Sequence, residues 1–260
     1  MLGQPLAGIP IAVIFALVAG VALLAYEAGF RFGFGRERDS PAEAEGASGL
    51  VAGSLLALFA FLLAFTMGMA ADRFQARRDL VLQEANAIET TYLRAGFLPE
   101  PERAAVRNLL REYVPLRIAV GGLEQLQAND DRSGEVQHAI WALTEQVATR
   151  TPESEVLGTY IVSLNEMIDV ENARIVVGVY GRLPDSVIGV LLISGALSMF
   201  VLGYHAGLGR RRSPTSTILF ILVLSVVVTL IIDLDWPRGG FISVSQDALI
   251  NLQAELGPPT

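Results

Sequence analysis

The chain has 260 residues, 52% of them apolar and 18% charged, with a mean hydropathy of +0.47 and a formal net charge of −8. That is too apolar for an ordinary soluble domain, and the lack of cysteine excludes a disulfide scaffold, a thiolate zinc site and a catalytic thiol. All 19 basic residues are arginine, as a GC-rich bacterial genome would give, and the acidic balance argues against nucleic-acid or anionic-lipid binding.

The first apolar stretch, residues 8–28, is about as long as a bilayer demands, roughly 17–25 residues. No basic segment precedes it, so it reads as a retained first span and not as a signal peptide. Glu27 lies near its end, where an intramembrane acid is either functional or snorkels to the interface. A short loop, 29–48, mixes Arg31, Arg36 and Arg38 with acids and a Pro/Ala/Gly/Ser stretch.

The second span, 49–71, carries the most informative pattern. Positions 53, 57, 60, 64, 67, 71, 74, 78, 81, 85, 88 and 92 step by 4 and 3 without a slip, which predicts one unbroken helix to about residue 96 with a single packing face. Inside the membrane that face reads Ala57, Ala60, Ala64, Met67 and Ala71, followed by Phe74 and Arg78. Small residues there either let two helices approach closely or, repeated around an oligomer axis, line a pore with Met67 and Phe74 as constrictions. Arg78 is the only charge on the seam and must meet an acid, carbonyls or water, or else form a ring at a pore mouth.

Residues 72–184 read as a soluble four-helix insert holding seventeen acids against twelve arginines, with 72–96 continuing the second span. A second insert helix starts near Glu102 and is kinked at Pro115; Asn129 to Gly134 is read as a turn. A third carries Val136, Ile140, Leu143 and Val147. The fourth is read with Thr151 as N-cap and Pro152 at its first position. Its seam of Leu157, Ile161, Leu164, Ile168, Glu171 and Ile175 predicts antiparallel packing on the first.

The third and fourth spans, 185–205 and 216–234, flank a short basic loop, 206–215, with Arg210, Arg211 and Arg212. An interfacial C-terminal segment, 235–260, follows: Asp235, Trp236, Pro237 and Arg238 suit a membrane anchor and turn, and Ser245 a cap for a helix bearing Leu249, Leu252 and Leu256. His138 and His205 are too far apart for a metal pair. No nucleotide loop, triad or acid–base dyad is visible, so the residues point away from an enzyme and to no metal or cofactor.

Two motifs carry a resemblance. The run from Leu63 to Arg94, with Arg73, Glu84, Asn86 and Tyr92, and the segment Leu234 to Gly240, with Asp235, Pro237 and Gly240, resemble those of a bestrophin-like family of bacterial and plant membrane proteins, called after the bestrophin anion channels. The resemblance covers nearly the whole chain. It implies four spans, a helical insert after the second, an oligomer and the second span as pore helix. The calcium-binding acidic cluster of bestrophins finds no match here.

The expectation is an all-α integral membrane protein of a bacterial inner membrane: four transmembrane helices with a helical-bundle insert between the second and third. Function is expected to be a homo-oligomeric ion channel passing small inorganic anions; the alternative is a membrane sensor or scaffold whose helical insert binds a ligand or partner. The two short loops hold six arginines, and the weight of short loops in the positive-inside rule favours an extracytoplasmic insert and termini.

Overall fold

A computed structural model describes residues 10–35, 41–118, 123–210, 212–236 and 240–259. Its helices are α1 (Ile11–Phe34), α2 (Pro41–Arg94), α3 (Glu102–Arg117), α4 (Leu123–Arg150), α5 (Glu155–Tyr180), α6 (Asp185–Leu208), α7 (Pro214–Asp235) and α8 (Asp247–Leu256), with one 3-10 turn at Ala95–Phe97 and no strand among the described residues. Two compact units emerge: Met1–Phe74 with Arg182–Ser243, and Gln75–Gly181 with Val244–Thr260.

The first unit holds the apolar helices. α1, α2, α6 and α7 are each long and apolar enough to cross a membrane. Their shared core is apolar, with Ile14, Phe59, Leu191, Met199, Ile221 and Ile231 buried together. The closest packing is between α1 and α6. Gly29 and Gly33 lie against the backbone at Phe200 and Tyr204, while Gly203 and Gly207 lie against the backbone at Tyr26 and Phe30, so a Cβ at any of the four would overlap a carbonyl. Two Gly-x-x-x-Gly pairs thus interlock, the geometry that small residues permit in lipid, where packing drives association. The 4–3 pattern marks small residues only on the second span, and this contact between α1 and α6 lies outside it.

The second unit packs the rest of α2 with α3, α4, α5 and α8 around Val81, Ile88, Leu110, Tyr113, Ile140, Tyr160, Leu164 and Leu249. α2 and α5 run antiparallel, since Thr91 Oγ1 donates to Ser163 O (2.9 Å) and Arg94 Nη1 to Thr159 O (3.1 Å).

Several element ends differ from the sequence reading. The connection expected over 29–48 is shorter, with α1 reaching Phe34 and α2 starting at Pro41; proline is suited to a first helical position and the Ala/Glu residues after it favour helix. The expected turn at Asn129 to Gly134 is absent because α4 runs through it. Tertiary bonds override weak propensity there: Asp130 meets Arg117, Arg132 bridges Glu112 and Glu135, and Ser133 is buried. α5 is capped by Ser154, whose hydroxyl accepts from Leu157 N (3.2 Å), instead of Thr151. The C-terminal helix has Gln246 at its cap position, with Ser245 Oγ accepting from Asp247 N.

Candidate functional site

α2 presents an uncovered face in the membrane-spanning unit. At 100° per residue, Gly53, Ala57, Ala60, Ala64, Gly68 and Ala71 fall on one arc, and all six are exposed. The opposite side buries Ala52, Phe59, Thr66 and Ala70. Met67 and Phe74 sit on the margin of the open arc, half-buried against the unit's core. A groove of about 410 Å³ runs beside the face, lined by Leu56, Ala57, Ala60, Leu63, Phe220 and Val227.

The unslipped 4–3 seam is therefore one line in sequence and two environments in space. Seven residues turn 700°, about 20° short of two full rotations, so a heptad pattern on a straight helix drifts steadily around it. The seam begins on the open arc at Gly53 and ends in the core of the second unit at Val81, Ala85 and Ile88. Arg78 stays exposed, and its neighbour Arg77 is buried. Arg78 does not pair with Glu171, whose partner is Arg117.

The family-motif residues divide by role. Glu84 is fully buried in the second unit; its Oε1 accepts from Arg117 Nε at 2.6 Å and its Oε2 from Arg174 Nη1. Arg117 Nη1 also meets Glu171 Oε1 (2.7 Å) and Asp130 Oδ1 (3.1 Å), while Arg174 Nη2 donates to Gln246 Oε1 (2.8 Å). Gln137 donates to Glu171 and to Tyr113 OH. Two guanidiniums thus share three carboxylates, joining α2, α3, α4, α5 and the residue before α8. Burial pushes the Glu171 carboxyl up from its ordinary value, against the pull of Arg117 and a bond from Tyr113. Burial also raises the Tyr113 hydroxyl. Arg117, which burial would lower, is held above its ordinary value by Glu84 and Glu171.

Tyr92 stacks under Arg107 and Arg111, its hydroxyl accepting from Arg111 Nη2 (2.7 Å). Arg73 is half-buried and Asn86 exposed. In the first unit Asp235 Oδ1 accepts from Leu183 N (2.7 Å) with Arg182 3.9 Å away. Asp233 accepts from Phe241 N (3.0 Å) and Ile242 N (3.1 Å), and a Cβ on Gly240 would overlap its carboxylate, so the glycine is there for close approach. Pro237 and Arg238 lie outside the described residues. Glu27 is bound by Arg31 (2.9 Å) and by Arg212 (3.0 Å) at the end of its span. His138 Nδ1 lies 2.7 Å from Gly134 O, and His205 Nδ1 lies 2.9 Å from Ser48 Oγ.

Arg117, Asp130, Gln137, Arg174 and Gln246 belong to these networks and carry no motif in the sequence, and Asp233 reads there only as an anchor acid beside Asp235. Their periodicity is that of ordinary amphipathic helices.

The model of the Bestrophin-like domain family matches residues 11–249. The chain belongs to that family. The bestrophin-like fold is also met in solved structures: a membrane protein in point-mutant form is 15% identical, with 95% of this chain and 97% of that one covered and a TM-score of 0.67. A bacterial bestrophin homologue from Klebsiella pneumoniae is 15% identical at the same coverage with a TM-score of 0.64, and a mutant of it 16% identical with a TM-score of 0.65. No curated protein matches significantly. Family and spans together make this a bestrophin-like membrane protein.

Proposed function

We propose that the bestrophin-like chain assembles into a homo-oligomeric channel for small anions, with the open face of α2 lining the path. The observation that supports this reading is the six-residue stripe from Gly53 to Ala71, small throughout and left uncovered by its own protomer. Copies converging on that stripe leave a narrow axial route. Met67 and Phe74 on its margin narrow the route, and Arg78 beyond the span offers positive potential to an approaching anion. A wall with so few polar groups conducts only when wetted, which makes wetting the gating step. On the weight of the short arginine-rich connections, the insert and both termini are assigned to the extracytoplasmic side; a reporter fused after Thr260 that proves cytoplasmic would reverse the orientation.

The test is purified protein in a planar bilayer under chloride and potassium gradients, with Arg78→Glu alongside. Current reversing near the chloride equilibrium potential, shifted towards potassium by Arg78→Glu, is expected. No current at any pH or voltage would remove the channel reading in favour of a sensor or scaffold, and an unchanged ion preference in Arg78→Glu would move the pore off α2.

A further inference from the structure

At the short-connection end of the first unit, the last turn of α1, the turn after α6 and Arg212, two residues before α7, line a groove of about 640 Å³ whose wall is Phe30, Arg31, Phe34, Gly35, Arg210 and Arg212. The guanidinium of Arg212 lies 3.9 Å from the centre of the Phe30 ring, and that of Arg210 lies 5.3 Å from that of Phe34. Cation–π attraction holds each guanidinium over its ring, and its N–H groups can still donate to an acceptor. Glu27 takes up part of this capacity through Arg31 and Arg212. No acid among the described residues pairs with Arg210, so three cations face one anion here. The side chains of Arg31 and Arg212 remain 78% and 53% exposed, open to a ligand from outside.

Two further features bear on the ligand. Arg210 has φ of 50°, a left-handed conformation that glycine would hold without strain and arginine does not. An arginine at that position is useful for its charge and not for its backbone. The groove also lies where three apolar spans end, next to exposed Phe32 and Phe34 on α1. That combination, cations beside an apolar wall at a span end, matches a phosphodiester carrying acyl chains. The net charge of −8, which argues against anionic lipid over the chain as a whole, is overruled locally, because screening restricts the relevant field to about 8–10 Å and the groove itself is cationic.

We infer that this groove binds the phosphate of an anionic phospholipid headgroup, with Arg31, Arg210 and Arg212 as its donors and Phe30 and Phe34 as the floor. Inorganic phosphate shares the charge and acceptor chemistry but lacks the acyl chains. The site does not depend on whether the protein conducts.

Native mass spectrometry of the detergent-solubilised protein with added phosphatidylglycerol or phosphatidylcholine tests it. Arg210→Gly removes a charge and relieves the backbone, so it keeps the fold; combined with Arg31→Gln it leaves the Arg212–Glu27 pair intact. Expected is retention of phosphatidylglycerol over phosphatidylcholine, weakened at least about ten-fold in the double variant and unchanged in Arg103→Gln, an exposed arginine of the other unit. Inorganic phosphate in excess should leave the lipid in place. Equal retention of the two lipids, or undiminished phosphatidylglycerol binding by a double variant of unchanged helical content, would overturn the site. Displacement of the lipid by inorganic phosphate, with the same dependence on the variants, would replace the lipid by a free phosphate.

Discussion

Glu84 Oε1 accepts from Arg117 Nε at 2.6 Å, with the two side chains 0% and 4% exposed. A pair so far from water gains little over a well-packed apolar pair, because desolvation offsets most of the Coulomb attraction, but removing Glu84 takes the carboxylate from Arg174 and leaves Arg117 only Glu171 and Asp130. Glu84→Gln should therefore lower the stability of the second unit by about 3–5 kcal/mol. Glu84→Leu combined with Arg117→Met should cost clearly less than the two singles added together. A thermal-unfolding double-mutant cycle reads this, and additive costs would show that the pair is not coupled.

Glu171 gives a pH dependence of defined sign. Its carboxyl is raised above the ordinary value of 4.5, chiefly by burial, with Arg117 and a bond from Tyr113 opposing and Glu84 and Asp130 adding to the rise; Gln137 also donates to it. Above 4.5 the folded state therefore holds this proton more tightly than the unfolded chain. Stability from the group is fully present below 4.5 and is lost as pH rises through the folded value. Glu171→Gln lacks that loss, so its melting temperature relative to the parent should climb with pH from 4.5 upward. A difference that stays flat or falls over that range would contradict the raised value.

The interlocked glycines of α1 and α6 make a sharper steric prediction. Gly203→Ala places a methyl group on the Tyr26 carbonyl and Gly29→Ala one on the Phe200 carbonyl, so the helices must part along the whole contact. Overpacking of this kind costs about 1–3 kcal/mol. Gly53→Ala, whose Cβ meets open space, should cost nothing comparable. Melting of the three variants in detergent separates the cases.

The chain has no cysteine, so a single introduced thiol reports only on contacts between copies. Ala57→Cys and Ala64→Cys on the open arc of α2 should form dimers under mild oxidation in membranes, whereas Ala52→Cys, at a buried position, should not. Dimers from Ala52→Cys alone would place the contact on another face.

That the chain is helical, that four of its segments can cross a bilayer, and that the helix of the second span continues beyond it are all legible in the amino-acid order. Those features follow from local hydropathy and from periodicity along one segment, which residues a few positions apart encode. The same order also marks Glu84, Tyr92, Asp235 and Gly240 through family motifs, without saying what they touch. Their partners had to await tertiary structure: Glu84 meets residues 33 and 90 positions away, and Gly240 is needed because Asp233 turns back to bind Phe241 and Ile242. The same holds for Asn129 to Gly134, where turn-forming residues sit inside α4 because their side chains bond to other helices. A heptad seam names a face but not its environment; because the face drifts around the helix, Ala57 ends exposed and Ile88 in a core, a distinction that only the neighbours brought together by folding decide.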